Sequence, residues 1–273
     1  MKRYKKSTDS EILIQIKEVL KDRPTYGYKR VTAMINKKRA QNGHSRINKK
    51  RVFRVMDIYG LLFKRSNSSF SRLKKTGEII TLHSNTRWCS DAFEIHCFNG
   101  EKVYVAFSID SHDRECLSYV AHDRPLLARD IQDLMLTSVE YRFNRAKTSR
   151  TIQWLSDRGS IYRSPETIQI GRYLGLKSCF TAPHSPESNG MSEALVNTLK
   201  RDYVYTSDCK DAKTVLKLIP KWIEDYNENA PHSGLNMKSP REYIGSRFNL
   251  AAGCDHEGSI GPGQQPGRAL ETN

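Results

Sequence analysis

Over the first sixty positions, apolar residues recur at helical spacing. Ile12, Leu13, Ile16, Val19 and Leu20 follow one face, and Thr8 with Glu11 has the spacing of a capping box at its start. Pro24 ends that helix. After Gly27, the residues Tyr28, Val31, Thr32 and Ile35 predict a second helix. Asn48 caps a third, whose apolar face of Val52, Val55, Met56 and Tyr59 lies opposite Lys49, Lys50, Arg51 and Arg54; Gly60 stops it. Beyond a Ser-rich, basic stretch the pattern turns from helical to alternating. Trp88 to Phe98 and Lys102 to Asp110 predict a hairpin turned by Asn99-Gly100, and Cys116 to Ala121 a third strand. Helical spacing returns over Ala128 to Ala146. A strand over Thr151 to Leu155, a helix over Pro165 to Leu176, a strand over Ser178 to Thr181 and helices over Asn189 to Val204 and Asp211 to Glu228 complete the series. This order predicts a mixed α/β fold behind a small helical unit. The division is residues 8–65 as a helix-turn-helix-like basic domain, 66–84 as linker, 85–246 as the α/β domain, and 247–273 as a disordered tail without periodicity.

Charge sharpens this division. Of a net +15 over 273 residues, residues 1–80 carry 22 Lys and Arg against 6 Asp and Glu, which leaves the remainder near neutrality. A concentrated positive field gains from counterion release on a polyphosphate, so DNA is the expected partner of the N-terminal unit. Three short helices with a basic third suit a helix-turn-helix-like module, and Lys49, Lys50, Arg51 and Arg54 are its candidate DNA contacts, to phosphate more than to base edges. The six cysteines show neither C-x-x-C pairing nor zinc-ligand spacing with histidine, which suits free thiols in a reducing cytosol. No apolar run approaches the ~18 residues of a membrane span, and the start is charged, not signal-like. The expected place is the bacterial cytoplasm, on the nucleoid.

Three acids stand in separate, distinctive contexts. Trp88-Cys89-Ser90-Asp91 lies on a strand, Trp154-Leu155-Ser156-Asp157-Arg158-Gly159-Ser160 closes one, and Ser188-Asn189-Gly190-Met191-Ser192-Glu193 starts a helix, with 35 residues between Asp157 and Glu193. Around them stand Arg23-Pro24-Thr25-Tyr26-Gly27-Tyr28-Lys29-Arg30-Val31, Ser185-Pro186-Glu187-Ser188-Asn189-Gly190, Leu199-Lys200-Arg201-Asp202-Tyr203, Tyr226-Asn227, Pro231-His232-Ser233 and Ser239-Pro240-Arg241-Glu242-Tyr243. On these motifs, over roughly residues 8–245, the chain resembles the OrfB-type transposases of bacterial insertion sequences, encoded in two overlapping frames, OrfA and OrfB.

The resemblance implies a ribonuclease H-like integrase core and a Mg²⁺-dependent polynucleotidyl transferase, with Mn²⁺ as a possible substitute. Asp91, Asp157 and Glu193 would be both catalytic residues and metal ligands. Phosphodiester transfer needs charge stabilised on attacking and leaving oxygens, which two divalent ions about 3.5–4 Å apart do together; Mg²⁺ prefers oxygen ligands, so a few carboxylates suffice. Asp91 would bridge both ions. On the Glu193 helix, Met191, Leu195, Thr198 and Leu199 are placed to face the core, while Glu193, Asn197, Lys200 and Arg201 share another face, which makes the last three candidate DNA contacts. Lys200 matches an integrase lysine that contacts the DNA end. The family uses water and then a DNA 3′-hydroxyl, with no covalent enzyme intermediate, and its copy-out, paste-in pathway runs through a circular intermediate. No OrfA-type recognition domain precedes the first helix, so the OrfA product, or an OrfA–OrfB fusion, is an expected partner, together with a homo-oligomer bridging two element ends.

Other readings of these residues stay open. Asp110, His112 and Asp113 could form an alternative metal site, though turn chemistry and a salt link to Arg114 suit them better. His184 and His232, beside motif residues, suit orientation or packing. The protein as a whole could be a catalytically incompetent DNA-binding relic that represses transposition, or a nuclease that cleaves without joining. A strand-transfer assay separates all three.

Overall fold

The computed structural model describes residues 9–62, 81–181 and 189–254, with side chains to 247. Its first three helices, α1 (Asp9–Asp22), α2 (Tyr28–Gln41) and α3 (Lys49–Ile58), close on a core of their own: Ile12, Ile16, Tyr26, Val31, Ile35, Ile47, Val52, Val55 and Met56. Burying each large apolar side chain of this set stabilises the unit by about 1.5–3 kcal/mol. The Asn48 side chain accepts from the Lys50 N–H at 2.9 Å, the N-cap expected for α3, and Gly60 follows the helix with a φ of 66°. Asn36 fixes the α2–α3 connection by donating to the Ile47 carbonyl at 3.0 Å and accepting from its N–H at 2.7 Å. Thr8, half of the expected capping box, lies outside the described residues, as do 66–80 of the expected linker.

Five strands form one mixed sheet: β1 (Arg87–His96), β2 (Lys102–Asp110), β3 (Cys116–His122), β4 (Ile152–Ser156) and β5 (Leu176–Phe180), ordered β3-β2-β1-β4-β5. β1 to β3 pair antiparallel, and β4 and β5 join parallel beside β1. β2, between β3 and β1, is buried on both faces, so its near-continuous apolar run replaces alternation. On one face Trp88, Ala106 and Trp154 meet Ile131, Leu134, Met135 and Val139 of α4 (Ala128–Phe143) and Leu174 of α6 (Pro165–Leu174), with Tyr162 of the short α5 (Ser160–Arg163). On the other, Cys89, Ile95, Val105, Phe107 and Leu155 meet Leu195 and Leu199 of α7 (Gly190–Asp202) and Val215, Ile219, Trp222 and Tyr226 of α8 (Ala212–Asn229). This three-layer α/β arrangement is the ribonuclease H-like fold with a helical N-terminal unit that was expected.

Some boundaries differ from the sequence reading. α6 stops at Leu174 because Gly175 takes a φ of 84°, which frees Leu176 to begin β5. α8 keeps Pro220 inside it without interruption. A helix not expected, α9 (Pro240–Cys254), runs through eight residues assigned to the tail; the rest of that tail, 255–273, lies outside the described residues.

Candidate active site

β1 and β4 run parallel with Trp88 opposite Trp154 and Cys89 opposite Leu155, so two further residues along each chain bring Asp91 and Asp157 side by side. Cys89, Phe93 and Ile95 face the α7–α8 layer, and Asp91 shares their parity, so its carboxyl belongs to that face too. α7 is held there by Leu195 and Leu199, both buried, while Glu193 stays exposed in its first turn. The three acids therefore converge where the middle of β1 passes the end of β4, beneath the start of α7. Burial first, and then the negative charges of Asp157 and Glu193, push the Asp91 carboxyl up to about 6; the Ala92 N–H, at 2.8 Å from Oδ1, opposes the rise.

Backbone and neighbours set the two strand-borne acids. Asp157 Oδ1 accepts from the Gly159 N–H at 2.9 Å, and a Cβ on Gly159 would sit 3.1 Å from that oxygen, so a side chain there would press on the Asp157 carboxylate. Behind β1, Ser90 Oγ donates to Tyr162 Oη at 3.2 Å, and both residues are buried on the opposite face. Gly159 and Tyr162 were not singled out from sequence, although Gly159 lies within the motif that carries Asp157.

Asp91, Asp157 and Glu193 offer hard oxygen donors without thiol or imidazole, the set that suits Mg²⁺ or Mn²⁺. Mutual repulsion, visible in Asp91, gives a cation something to relieve. The fit is one of donor chemistry and charge: among the described residues no three His, Cys, Asp or Glu side chains stand closed around an ion position. The alternative acid group fits less well. Asp110, Asp113 and Glu115 are buried, and all three are ion-paired with Arg142 of α4, so a cation already occupies their centre. The partner is thus Arg142 and not Arg114, whose side chain lies instead against Gly234. His112 donates from Nδ1 to the Thr81 carbonyl at 2.7 Å. His232 packs edge-on against Tyr226, and burial together with Arg114 and Arg30 holds it at about 4, so it is a neutral packing group. His184 lies outside the described residues.

The candidate DNA contacts divide. Lys49 and Lys50 are exposed at the start of α3. Arg51 and Arg54 instead hold Asp9 of α1, at 3.0 and 2.8 Å, on a carboxylate that is almost fully buried. On α7, Asn197 is exposed, and Lys200 Nζ lies 5.6 Å from the centre of the Phe93 ring, on the same sheet face as Asp91. Arg201 forks onto Asp202 with both bonds at 2.7 Å. Among the described residues no helix is long and apolar enough to cross a membrane.

Comparison with known proteins gives the chain's relatives. Residues 82–186 match one Integrase core domain family, residues 174–240 match a second of that description, and residues 7–68 match the HTH-like domain family. Over 247 residues the chain is 41% identical to Transposase InsD for insertion element IS2A/D/F/H/I/K of Escherichia coli, covering 90% of this chain and 82% of the relative. Transposase InsD for insertion element IS2-9 of Escherichia coli strain K12 gives the same identity and share of this chain, with 80% of its own length covered. Among solved structures, a chain of the simian T-cell lymphotropic virus intasome in complex with PP2A regulatory subunit B56 gamma superposes with a TM-score of 0.51 at 13% identity. That match covers 95% of this chain and 80% of the other and is a likeness of fold alone.

Proposed function

The chain belongs to the insertion-sequence transposases with an integrase core, a polynucleotidyl transferase family, and from that premise we propose that Asp91, Asp157 and Glu193 are its catalytic carboxylates. The supporting observation is their convergence from β1, the end of β4 and the first turn of α7, registered in the effect of Asp157 and Glu193 on Asp91. When bound, Mg²⁺ or Mn²⁺ would stabilise charge on the attacking and leaving oxygens of the scissile phosphate. Asp91, innermost of the three, would hold the ions together with Asp157 and Glu193 through carboxylate oxygens. The Gly159 N–H keeps the Asp157 carboxylate turned toward this site. Lys200, beside Phe93, would steady a terminal phosphate two turns from Glu193.

Two in-line displacements at phosphorus follow. Water attacks a phosphodiester at the element end, and the departing 3′-oxygen takes up a proton to become a free 3′-hydroxyl. That hydroxyl then attacks a target phosphodiester, forming one P–O bond as another breaks, so no external energy source is required. A second copy of the chain would bring the other element end, and the OrfA product, or a fusion with it, would add end recognition.

The test is strand cleavage and joining on element-end duplexes. Asp91→Asn, Asp157→Asn and Glu193→Gln should each lower both steps by at least about 10³-fold while duplex affinity stays near that of the wild type. Near-normal joining by Asp157→Asn would remove the acid from the site. Cleavage without joining by the wild type would support the nuclease reading, and binding without cleavage the repressor.

A further inference from the structure

The motif from Arg23 to Arg30 plays no part in the chemistry just described, yet its side chains are among the most engaged in the molecule. Arg23, in the α1–α2 turn, pairs with Asp225 of α8. Arg30, in the first turn of α2, pairs with Asp202 at the end of α7, with Nη1 at 2.5 Å from Oδ2. Lys37, two turns further, reaches Glu242 of α9 at 2.6 Å. Arg30 and Lys37 are seven residues apart on one helical face, and Arg23 precedes them by the same interval. One cation in seven thus meets one acid on each of three successive helices of the α/β domain.

The first two pairs are built sites. The Asp202 side chain is 2% exposed and also accepts from Thr25 and Arg201. Burial alone would raise this carboxyl, but the Arg201 and Arg30 guanidinium groups hold it at about 2. Arg30 lies 3.9 Å above the centre of the buried Tyr26 ring and bonds the Thr25 carbonyl at 3.3 Å. Asp225 accepts further from Tyr203 Oη at 2.8 Å and Asn229 at 3.2 Å, so Arg23 meets a carboxylate held by two other donors. Open clefts flank this polar junction. One, of about 930 Å³, is lined by Lys29, Arg46, Lys49 and Lys238; the other, of about 880 Å³, by Tyr28, Phe53, Met191 and Thr198. Between these clefts, the three ion pairs and the Thr25–Asp202 hydrogen bond join the two units.

We infer that the α1–α2 turn and α2 form an interdomain clamp, in which Arg23 and Arg30, with Lys37 in support, set the register between the helical unit and the carboxylate site. Asp202 ends the helix whose first turn bears Glu193, so a rotation of the helical unit about this junction shifts bound DNA against that carboxylate. Arg23 and Arg30 are positioning residues in this assignment, which rests on the acid site proposed above.

The full chain, carrying spin labels on non-natural residues at the exposed Ile14 in α1 and Tyr173 in α6, reports the register as a distance distribution. A duplex bearing the end of the element that encodes the chain reports the cleaved bond. Wild type should give one narrow distance. Arg23→Ala with Arg30→Ala should broaden it, scatter cleavage over neighbouring phosphodiesters and lower cutting at the native bond by about tenfold or more. Duplex affinity should stay within about threefold, and Arg23→Lys with Arg30→Lys should fall between on both readouts, because lysine keeps the charge and loses the fork. A narrow distance in a folded alanine variant overturns the clamp, and so does a broadened distance with an unshifted cleavage position. Should the alanine variant not fold, a lysine variant with wild-type distance and cleavage position overturns it equally. The distance measurement needs neither metal nor turnover, so an active Glu193→Gln would sink the acid assignment and leave the clamp standing.

Discussion

At Asp91, binding function and stability pull in opposite directions. Its carboxyl titrates near 6 in the folded chain against an ordinary value of 3.8. The native state therefore binds more protons than the unfolded state between those values, and the group's contribution to stability falls as pH rises from about 4 through 6. Above pH 6 the full penalty is present. Asp91→Asn is expected to stabilise the divalent-free protein at pH 7.5 by about 1–2 kcal/mol, the shift being discounted for the group's partial solvent access. Chemical denaturation with and without Mg²⁺ checks this: the ion should raise the wild-type midpoint and leave the variant unmoved. At subsaturating Mg²⁺, cleavage should fall about tenfold per unit as pH drops below 6, because protons then compete with the ion for Asp91, and saturating Mg²⁺ should move that fall to lower pH. A variant less stable than wild type without metal would show that Asp91 is held by structure and not strained by its neighbours.

Elements were legible where local pattern and tertiary fate coincide. β2 carries the bounds read from sequence because the Asn99-Gly100 turn opens it, its apolar run is buried on both faces, and Asp110 closes it. α9 was missed because its sequence has no apolar stripe. Arg241 ties it instead to Glu115, Glu224 and Glu228, and no local window contains those partners. The same limit governs α3. A face with four cations is visible in sequence, but the buried Asp9 that engages Arg51 and Arg54 lies more than forty residues away. The three acids were readable because each sits in a distinctive motif. The seven-residue interval of Arg23, Arg30 and Lys37 was equally present, but its meaning waits on Asp202, Asp225 and Glu242. α3 should therefore split by function. Lys49→Ala with Lys50→Ala should weaken duplex binding and reduce the salt slope by about one per lost phosphate contact, with the melting point unchanged. Arg54→Ala should instead destabilise the helical unit by about 1.5–3 kcal/mol, the cost of removing a charged hydrogen bond from a buried carboxylate. Equal salt slopes for the two variants would show that the α3 cations act as one set.

Across the whole molecule, charge and architecture are arranged on the same axis. The excess positive charge lies in residues 1–80, while the acids that receive the clamp, Asp202, Asp225 and Glu242, belong to the near-neutral remainder. The protein thus places a polycationic unit with its own core on a catalytic body that has little net attraction for DNA. Affinity and chemistry are then separable: the first should rest on counterion release from the helical unit, the second on the three carboxylates. Because residues 1–80 include a complete three-helix core, a fragment of that length should bind duplex DNA, with log K falling linearly against log salt at a slope set by the phosphates it neutralises. Residues 81–273 should bind at least about tenfold more weakly at low salt and with a shallower slope, since their charge offers few such contacts. A titration of both pieces beside the full chain, over the same salt range, measures this. If the two fragments matched in affinity and slope, the DNA anchor would have to be sought on the catalytic body, and Lys200, exposed Asn197 and the cleft beside α7 would become the first places to look.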